Sequence, residues 1–251
     1  ISRASIHHTI LTDLKSFGLS HFSSTCLEKA DTTIRSDVQK QINKIYHPYK
    51  SILYPYARTS FYATLKHLNL SKGDQILMTP FNISPMLDII ESLKLKPVFI
   101  DINLEDFGPK YNDLENYLSK KPSCFFLTYL FGYVPNMDLI MRLCTKYNVP
   151  LIEDFSQNIG ASYKGRLLGT FGTAAFYSAS ITKFVDGYNG SFLLTKDELL
   201  FDKIHSFSTT LKKPSKSRLR KIIRRTLIWN LALNQFVFIF LTYPLLFLIR
   251  I

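Results

Sequence analysis

Asp154 ends the apolar run Val149-Pro150-Leu151-Ile152-Glu153-Asp154. Lys183 ends Phe176-Tyr177-Ser178-Ala179-Ser180-Ile181-Thr182-Lys183, and Gly187 and Gly190 follow it. A carboxylate at one strand end and a lysine just past another are the two groups that pyridoxal phosphate needs. The amine condenses with the cofactor's aldehyde, and the carboxylate keeps the pyridine nitrogen protonated so that the ring accepts electrons. The pair alone is common, and in a basic chain most such residues are surface charges. The context narrows it: Glu153-Asp-Phe-Ser-Gln-Asn-Ile-Gly-Ala161, then Gly165-Arg-Leu-Leu-Gly-Thr-Phe-Gly172, then the stretch from Ser178 to Lys183.

The residue types fit the roles. Burial lowers a lysine pKa, giving a neutral amine that attacks an aldehyde and later carries a proton. Glu153 is the rival carboxylate, and strand alternation points it away from Asp154. A cofactor phosphate calls for N–H groups and small hydroxyls at a helix N-terminus. Thr59 and Ser60, opening a helix-like stretch, meet that need, although simple helix capping explains them too. The histidines have no metal-ligand spacing, and no metal is expected.

The chain resembles the DegT/StrS-type sugar aminotransferases, a fold-type I pyridoxal phosphate family, from about Tyr54 to about Phe207. The landmarks are Tyr56-Ala-Arg-Thr-Ser-Phe-Tyr-Ala-Thr-Leu65, Leu70-Ser-Lys-Gly-Asp-Gln-Ile-Leu-Met-Thr-Pro80, Pro97-Val-Phe-Ile-Asp101, Tyr129-Leu-Phe-Gly-Tyr-Val-Pro-Asn-Met-Asp138 and Leu151-Ile-Glu-Asp-Phe-Ser-Gln157. The resemblance selects Asp154 over Glu153 and makes Lys183 the catalytic amine. It puts Gln157 beside the cofactor's phenolic oxygen, and Thr59, Ser60 and Ser178 at its phosphate. It implies amino transfer, with glutamate as the donor, to a keto group on a nucleotide-linked sugar used in polysaccharide or antibiotic assembly. It also implies a homodimer with sites at the subunit interface. Dehydratases of the family lack the lysine, so Lys183 argues for amino transfer. Two positions depart from the pattern. Phe81 is out of register with the usual ring-stacking aromatic, and the glycine pair after the lysine reads Gly190-Ser191.

Stepping out to the elements, 251 residues with 46% hydrophobic and 20% charged content suffice for one sizeable core. Short apolar strands alternate with helices: Thr59–Leu70, Pro85–Leu95, Tyr111–Lys120 and Met137–Tyr147 as helices; Gln75–Thr79, Pro97–Ile102, Ser123–Leu130 and Val149–Glu153 as strands. Strands linked by turns follow, over Thr173–Ser178 and Ser191–Thr195. That is an α/β pattern. With the resemblance it predicts a three-layer large domain on a mostly parallel sheet, with one antiparallel strand and a short helical C-terminal tail. The expected division is a helical segment over 1–50, the cofactor domain over 51–210, a basic linker over 211–226 and an apolar helical tail over 227–251. Relatives of this type are longer, and the chain begins without Met, so it reads as a fragment or a shortened relative.

The formal charge of +12 is concentrated late in the chain. Lys212, Lys213, Lys216, Arg218, Arg220, Lys221, Arg224 and Arg225 lie together, and no acid follows Asp202. The next residues, Leu227 to Ile249, are uncharged. This pairing leaves three readings of 212–251: a bilayer-spanning helix, an interfacial segment on an anionic membrane, or a helix packed on the fold or a partner. It fits lipid better than nucleic acid. Cys26, Cys124 and Cys144 read as free thiols, and residues 1–20 contain no signal-peptide core, which suggests a cytoplasmic location, at the inner face of a membrane if the tail binds lipid. A non-enzymatic, membrane-associated subunit is the competing function.

Overall fold

The structure is a computed structural model and describes residues 11, 14–16, 24–180, 183–212 and 215–244. Strands β1 (Lys50–Tyr54), β2 (Gln75–Met78), β3 (Lys96–Phe99), β4 (Cys124–Thr128), β5 (Leu151–Asp154), β8 (Ala174–Ala179) and β9 (Gly190–Thr195) form one sheet. Strands β6 (Ser162–Tyr163) and β7 (Arg166–Leu167) make a separate small hairpin. The main sheet runs in the order β1-β9-β8-β5-β4-β2-β3. From β8 to β3 every pairing is parallel, whereas β9 is antiparallel to both β8 and β1. The expected mostly parallel sheet with one reversed strand is what the chain forms.

Helices cover both faces. These are α1 (Ser24–Ile45), α2 (Ala57–His67), α3 (Ser84–Ser92), α4 (Tyr111–Ser119), α5 (Met137–Tyr147) and α6 (Glu198–Thr210). The alternation of β4 shows the layering. Cys124 and Phe126 pack with Phe61 and Leu65 of α2 and Ile90 of α3, while Phe125 and Leu127 pack with Leu118 of α4 and Ile140 of α5. A strand buried on both faces reads as a continuous apolar run, and all five residues of β4 are buried. Local chemistry fixes the helix ends. Asn136 caps α5 by accepting from the Leu139 N–H, and Asn148 ends it in the left-handed conformation at φ 55°.

Sequence and structure differ in two places. Strand β1 lies across the expected 50/51 boundary and pairs with β9 from Lys50↔Thr195 to Tyr54↔Ser191. Most of the first 23 residues of the expected helical segment over 1–50 lie outside the described residues. The expected linker and tail are not separate: α7 (Lys216–Leu233) runs through both, with Ser215 capping it by accepting from the Arg218 N–H. Ile223 and Thr226, on one side of α7, are buried, which docks the helix on the domain.

Helix α7 stops because Asn234 turns extended (φ −60°, ψ 133°). Gln235–Val237 and a π-helical turn, Phe238–Thr242, follow. The Thr242 hydroxyl donates to the Ala232 carbonyl at 2.9 Å, folding this turn back on α7. A spanning segment would need one continuous helix through Asn234. No helix among the described residues is long and apolar enough to cross a membrane. Residues 245–251 of the expected tail lie outside those described.

Candidate active site

In a parallel sheet the strand C-termini carry the ligand crevice where the strand order reverses. Here the reversal lies between β2 and β4, since the chain leaves β2 toward β3 on one side and β4 toward β5 on the other. The residues just past β2, β4, β5 and β8 line a cavity of about 790 Å³ at this edge. Helix α2 closes one side with Tyr56, Ala57 and Arg58, and α7 closes another with Arg218, Lys221, Ile222 and Arg225.

Of the six residues expected at the site, the structure brings four to this cavity: Asp154, Gln157, Ser178 and Lys183. Asp154 is the last residue of β5 and is 7% exposed. Its Oδ1 accepts from the Ser156 N–H at 3.0 Å. Burial pushes the Asp154 carboxyl above the usual carboxylate range, opposed by hydrogen bonds from Ser156 and by the Lys183 charge. The Gln157 Oε1 accepts from the Phe131 N–H at 3.0 Å, which fixes the amide's direction. The Ser178 hydroxyl donates to Ser180 Oγ at 3.2 Å, and the Ser178 N–H donates to Ser156 Oγ at 2.9 Å.

Lys183 sits on a loop fastened from below. Tyr177 on β8 is buried, and its hydroxyl accepts from the Val185 N–H at 2.8 Å and donates to the Val185 carbonyl at 3.0 Å. The Gly187 and Asn189 N–H groups both donate to the Ala179 carbonyl. This ties the residues after Lys183 to the end of β8 and holds the lysine over the strand edge. Burial raises the Tyr177 phenol to about 12, so it stays protonated and keeps both bonds.

Thr59 and Ser60 are not on the lining. They are the third and fourth residues of α2, where the N–H groups already donate to the Tyr56 carbonyl. Ser60 is fully buried, and its hydroxyl is 2.9 Å from that of Ser191. The serine that replaces a glycine after Gly190 is thus held by Ser60, away from the cavity. The open helix end is two residues earlier: Ala57 and Arg58 line the cavity, and no side chain caps α2. Orphan N–H groups at such an end bind anions.

Glu153 takes the opposite direction from Asp154. It is fully buried and receives the Tyr129 hydroxyl at 2.6 Å and the N–H groups of Gly169, Phe171 and Gly172 at 2.8, 2.7 and 2.6 Å. Burial pushes this carboxyl above the usual carboxylate range, opposed by the hydrogen bonds from Tyr129 and the three N–H groups. Gly169 and Gly172 of the Gly165–Gly172 stretch belong to this cage. A Cβ on Gly172 would overlap the Leu151 carbonyl, and one on Gly169 would meet the Phe155 ring. Sequence reasoning did not single out Ser156, Ser180 or the cations of α7 as lining residues. For α7 the signal was present: 218, 221, 222 and 225 follow the spacing of one helix face.

The sequence model of the DegT/DnrJ/EryC1/StrS aminotransferase family matches residues 57–233. The chain belongs to that family. It is 29% identical over 156 residues to the pleiotropic regulatory protein of Geobacillus stearothermophilus, covering 62% of this chain and 42% of that one. It is 26% identical over 148 residues to GDP-perosamine synthase of Escherichia coli O157:H7, covering 59% and 41% respectively. The chain therefore spans about two-fifths of the length of these curated relatives. Among solved structures, the E. coli GDP-4-keto-6-deoxy-D-mannose-3-dehydratase with bound hydrated PLP superposes with a TM-score of 0.69 at 18% identity, covering 84% of this chain and 56% of that one. At that identity the likeness speaks to the fold, the three-layer α/β large domain of fold-type I enzymes.

The residues present fit the cofactor of such enzymes. A buried carboxylate, a lysine within its electrostatic reach, an uncapped helix end and three serines share one cavity. These are the partners that a pyridine nitrogen, an aldehyde and a phosphate require.

Proposed function

We propose that this protein is the cofactor domain of a pyridoxal phosphate-dependent aminotransferase that moves an amino group, from glutamate, to a keto group on a nucleotide-linked sugar. The observation that carries this reading is the convergence of Lys183 and Asp154 on one cavity whose wall includes the open end of α2. When bound, the cofactor supplies an electron sink for the carbon that gains or loses a proton. Asp154 is the carboxylate that would face the ring nitrogen and hold its proton. Lys183 is the amine that would hold the aldehyde carbon and, once freed, carry the proton between substrate and cofactor. Ala57, Arg58 and Ser178 would receive the phosphate. Gln157, its oxygen engaged by Phe131, would turn its amide N–H₂ to the phenolic oxygen. The substrate class rests on relatives such as the perosamine synthase and on the retained lysine.

The reading extends to assembly and location. Phe81, Ile83, Phe131 and Tyr133 stand exposed at or beside the cavity mouth. A contiguous apolar rim of this kind suits a second copy of the chain, and we take the working form to be a homodimer. The cations of the α7 region, with Trp229 and Phe240 exposed beyond them, suit contact with the anionic inner face of a membrane.

The test is spectroscopic. The purified chain mixed with pyridoxal phosphate should develop a visible absorbance band that borohydride abolishes, with the reduced cofactor recovered on the peptide containing Lys183. Glutamate should bleach the band. A protein that takes up no cofactor, or one trapped on Lys164 or Lys196 instead, refutes the reading.

A further inference from the structure

The docked side of α7 is Ile223 and Thr226, which are buried. The neighbouring side, which lines the cavity, reads Arg218, Lys221, Ile222, Arg225, three cations in four positions, and all three cations are exposed. Arg58 faces them from α2 across Tyr56. The Arg58 guanidinium lies 4.2 Å from the Tyr56 ring centre and the Arg218 guanidinium 5.1 Å from it, so the two stack on one aromatic ring. Among the described residues none of these four cations is ion-paired with a carboxylate. Among the described residues Asp154 is the one acid lining the cavity, against five cations when Lys183 is counted. Like charges gathered on a concave wall raise the local potential and attract a polyanion.

The cofactor's phosphate does not account for this set. Its N–H donors belong to the first turn of α2 and its hydroxyl to Ser178, whereas Lys221 and Arg225 stand on the other element. Arg218 to Arg225 spans two turns, roughly 10 Å at 1.5 Å per residue. That is longer than one phosphate and suits two linked phosphates, each meeting a guanidinium fork or an ammonium.

We propose that the cavity-lining side of α7, Arg218, Lys221 and Arg225 together with Arg58, is the binding site for the diphosphate of the substrate. The site would orient the sugar toward Lys183 and select phosphate-linked sugars over free ones. This rests on the aminotransferase reading for its purpose, but the anion site itself is testable without turnover.

The experiment compares two double variants of equal charge change on the same helix. Arg218→Gln/Arg225→Gln removes cations from the cavity face, and Arg220→Gln/Arg224→Gln removes cations that do not line it. Each is loaded with pyridoxal phosphate, reduced with borohydride so that the cofactor stays in place, and titrated calorimetrically with inorganic pyrophosphate and with GDP. Thermal melts check folding. The first variant should bind both probes about tenfold or more weakly, as expected for losing charge-assisted hydrogen bonds. The second should match the wild type, and cofactor loading should be equal in all three. Equal weakening in both variants means a diffuse charge effect and overturns the site. Failure of the wild-type protein to bind millimolar pyrophosphate also overturns it. If the cavity-face variant loses anionic-vesicle binding while keeping pyrophosphate affinity, the face serves lipid headgroups and the proposal is wrong. If no form takes up cofactor, the aminotransferase reading fails, and the same titrations on unloaded protein still decide the anion site.

Discussion

Glu153 and Asp154 are covalent neighbours on β5 that point to opposite sides of the sheet, and each side gives its carboxylate a different task. Glu153 is enclosed by four donors from Tyr129 and the Gly169–Gly172 turn. Asp154 lines the cavity with Ser156 as its partner. Strand alternation makes the separation obligatory, because successive side chains leave a strand on opposite faces.

Exchanging the two carboxylates for amides should therefore give opposite phenotypes. In Glu153→Gln an N–H₂ group would confront backbone N–H donors in a buried cage, costing about 3 kcal/mol of stability. Its cofactor spectrum, once folded, should be unchanged. Asp154→Asn should fold and take up cofactor, but its glutamate half-reaction should slow by on the order of 10²-fold, the scale of a lost proton-holding group. Stopped-flow absorbance and chemical denaturation read the two effects separately. A slow half-reaction in the Glu153 variant with normal stability would reverse the assignment.

The cofactor-free protein should show a pH effect of definite sign. Burial raises the Asp154 pKa in the folded state, so the folded chain holds a proton that the unfolded chain releases near pH 4. That contribution to stability is full below the unfolded pKa and is lost as pH rises through the folded pKa. Asp154→Asn removes the titration. The cofactor-free variant should be more stable than the wild type at neutral pH, with the gap closing below about pH 4. Melting temperatures across pH 3.5 to 8 check this, and a gap that widens on acidification would contradict it.

Tyr177 offers a test of how Lys183 is positioned. Tyr177→Phe deletes two hydrogen bonds to Val185 while leaving the ring in the core. The loss should be about 1–2 kcal/mol of global stability. A looser Lys183 loop should release cofactor faster on dialysis, with trapping still directed to Lys183. Unchanged retention would mean that the Gly187 and Asn189 bonds to Ala179 hold the loop by themselves.

What was legible in the sequence follows from what determines each feature. A carboxylate and a lysine at strand ends were readable from the apolar pattern, since a strand's end is where the crevice lies, whereas Gln157, Ser178 and the choice of Asp154 over Glu153 came only from the family resemblance. The placement of Ser60 was not, because a serine near a helix start has the same local appearance as a cap, a phosphate ligand or a buried pair. Its partner Ser191 is 131 residues away. Strand β1 was missed for a related reason: Lys50-Ser-Ile-Leu-Tyr54 is short and gains its burial from β9, again a distant segment. The basic run looked like a solvated linker. Only docking, through Ile223 and Thr226, shows that one side of it faces inward.

The apolar end of α7 yields the last prediction. Ile228, Trp229, Phe240 and Tyr243 are more than half exposed, and Arg220 and Arg224, which do not line the cavity, precede them. Apolar residues in lipid and cations above anionic headgroups reinforce each other, each cation contributing about 1 kcal/mol at low salt. The protein should co-sediment with anionic vesicles, and deletion of residues 212–251 should release it. Because α7 breaks at Asn234, the attachment should be superficial. It should weaken as ionic strength screens the cations, and Trp229→Ser/Phe240→Ser should weaken it at every salt concentration without altering pyrophosphate binding. Retention through both high salt and alkaline carbonate would instead mean insertion across the bilayer. A protein that stays in the supernatant with vesicles present and detergent absent would make this segment a packing surface for a partner subunit.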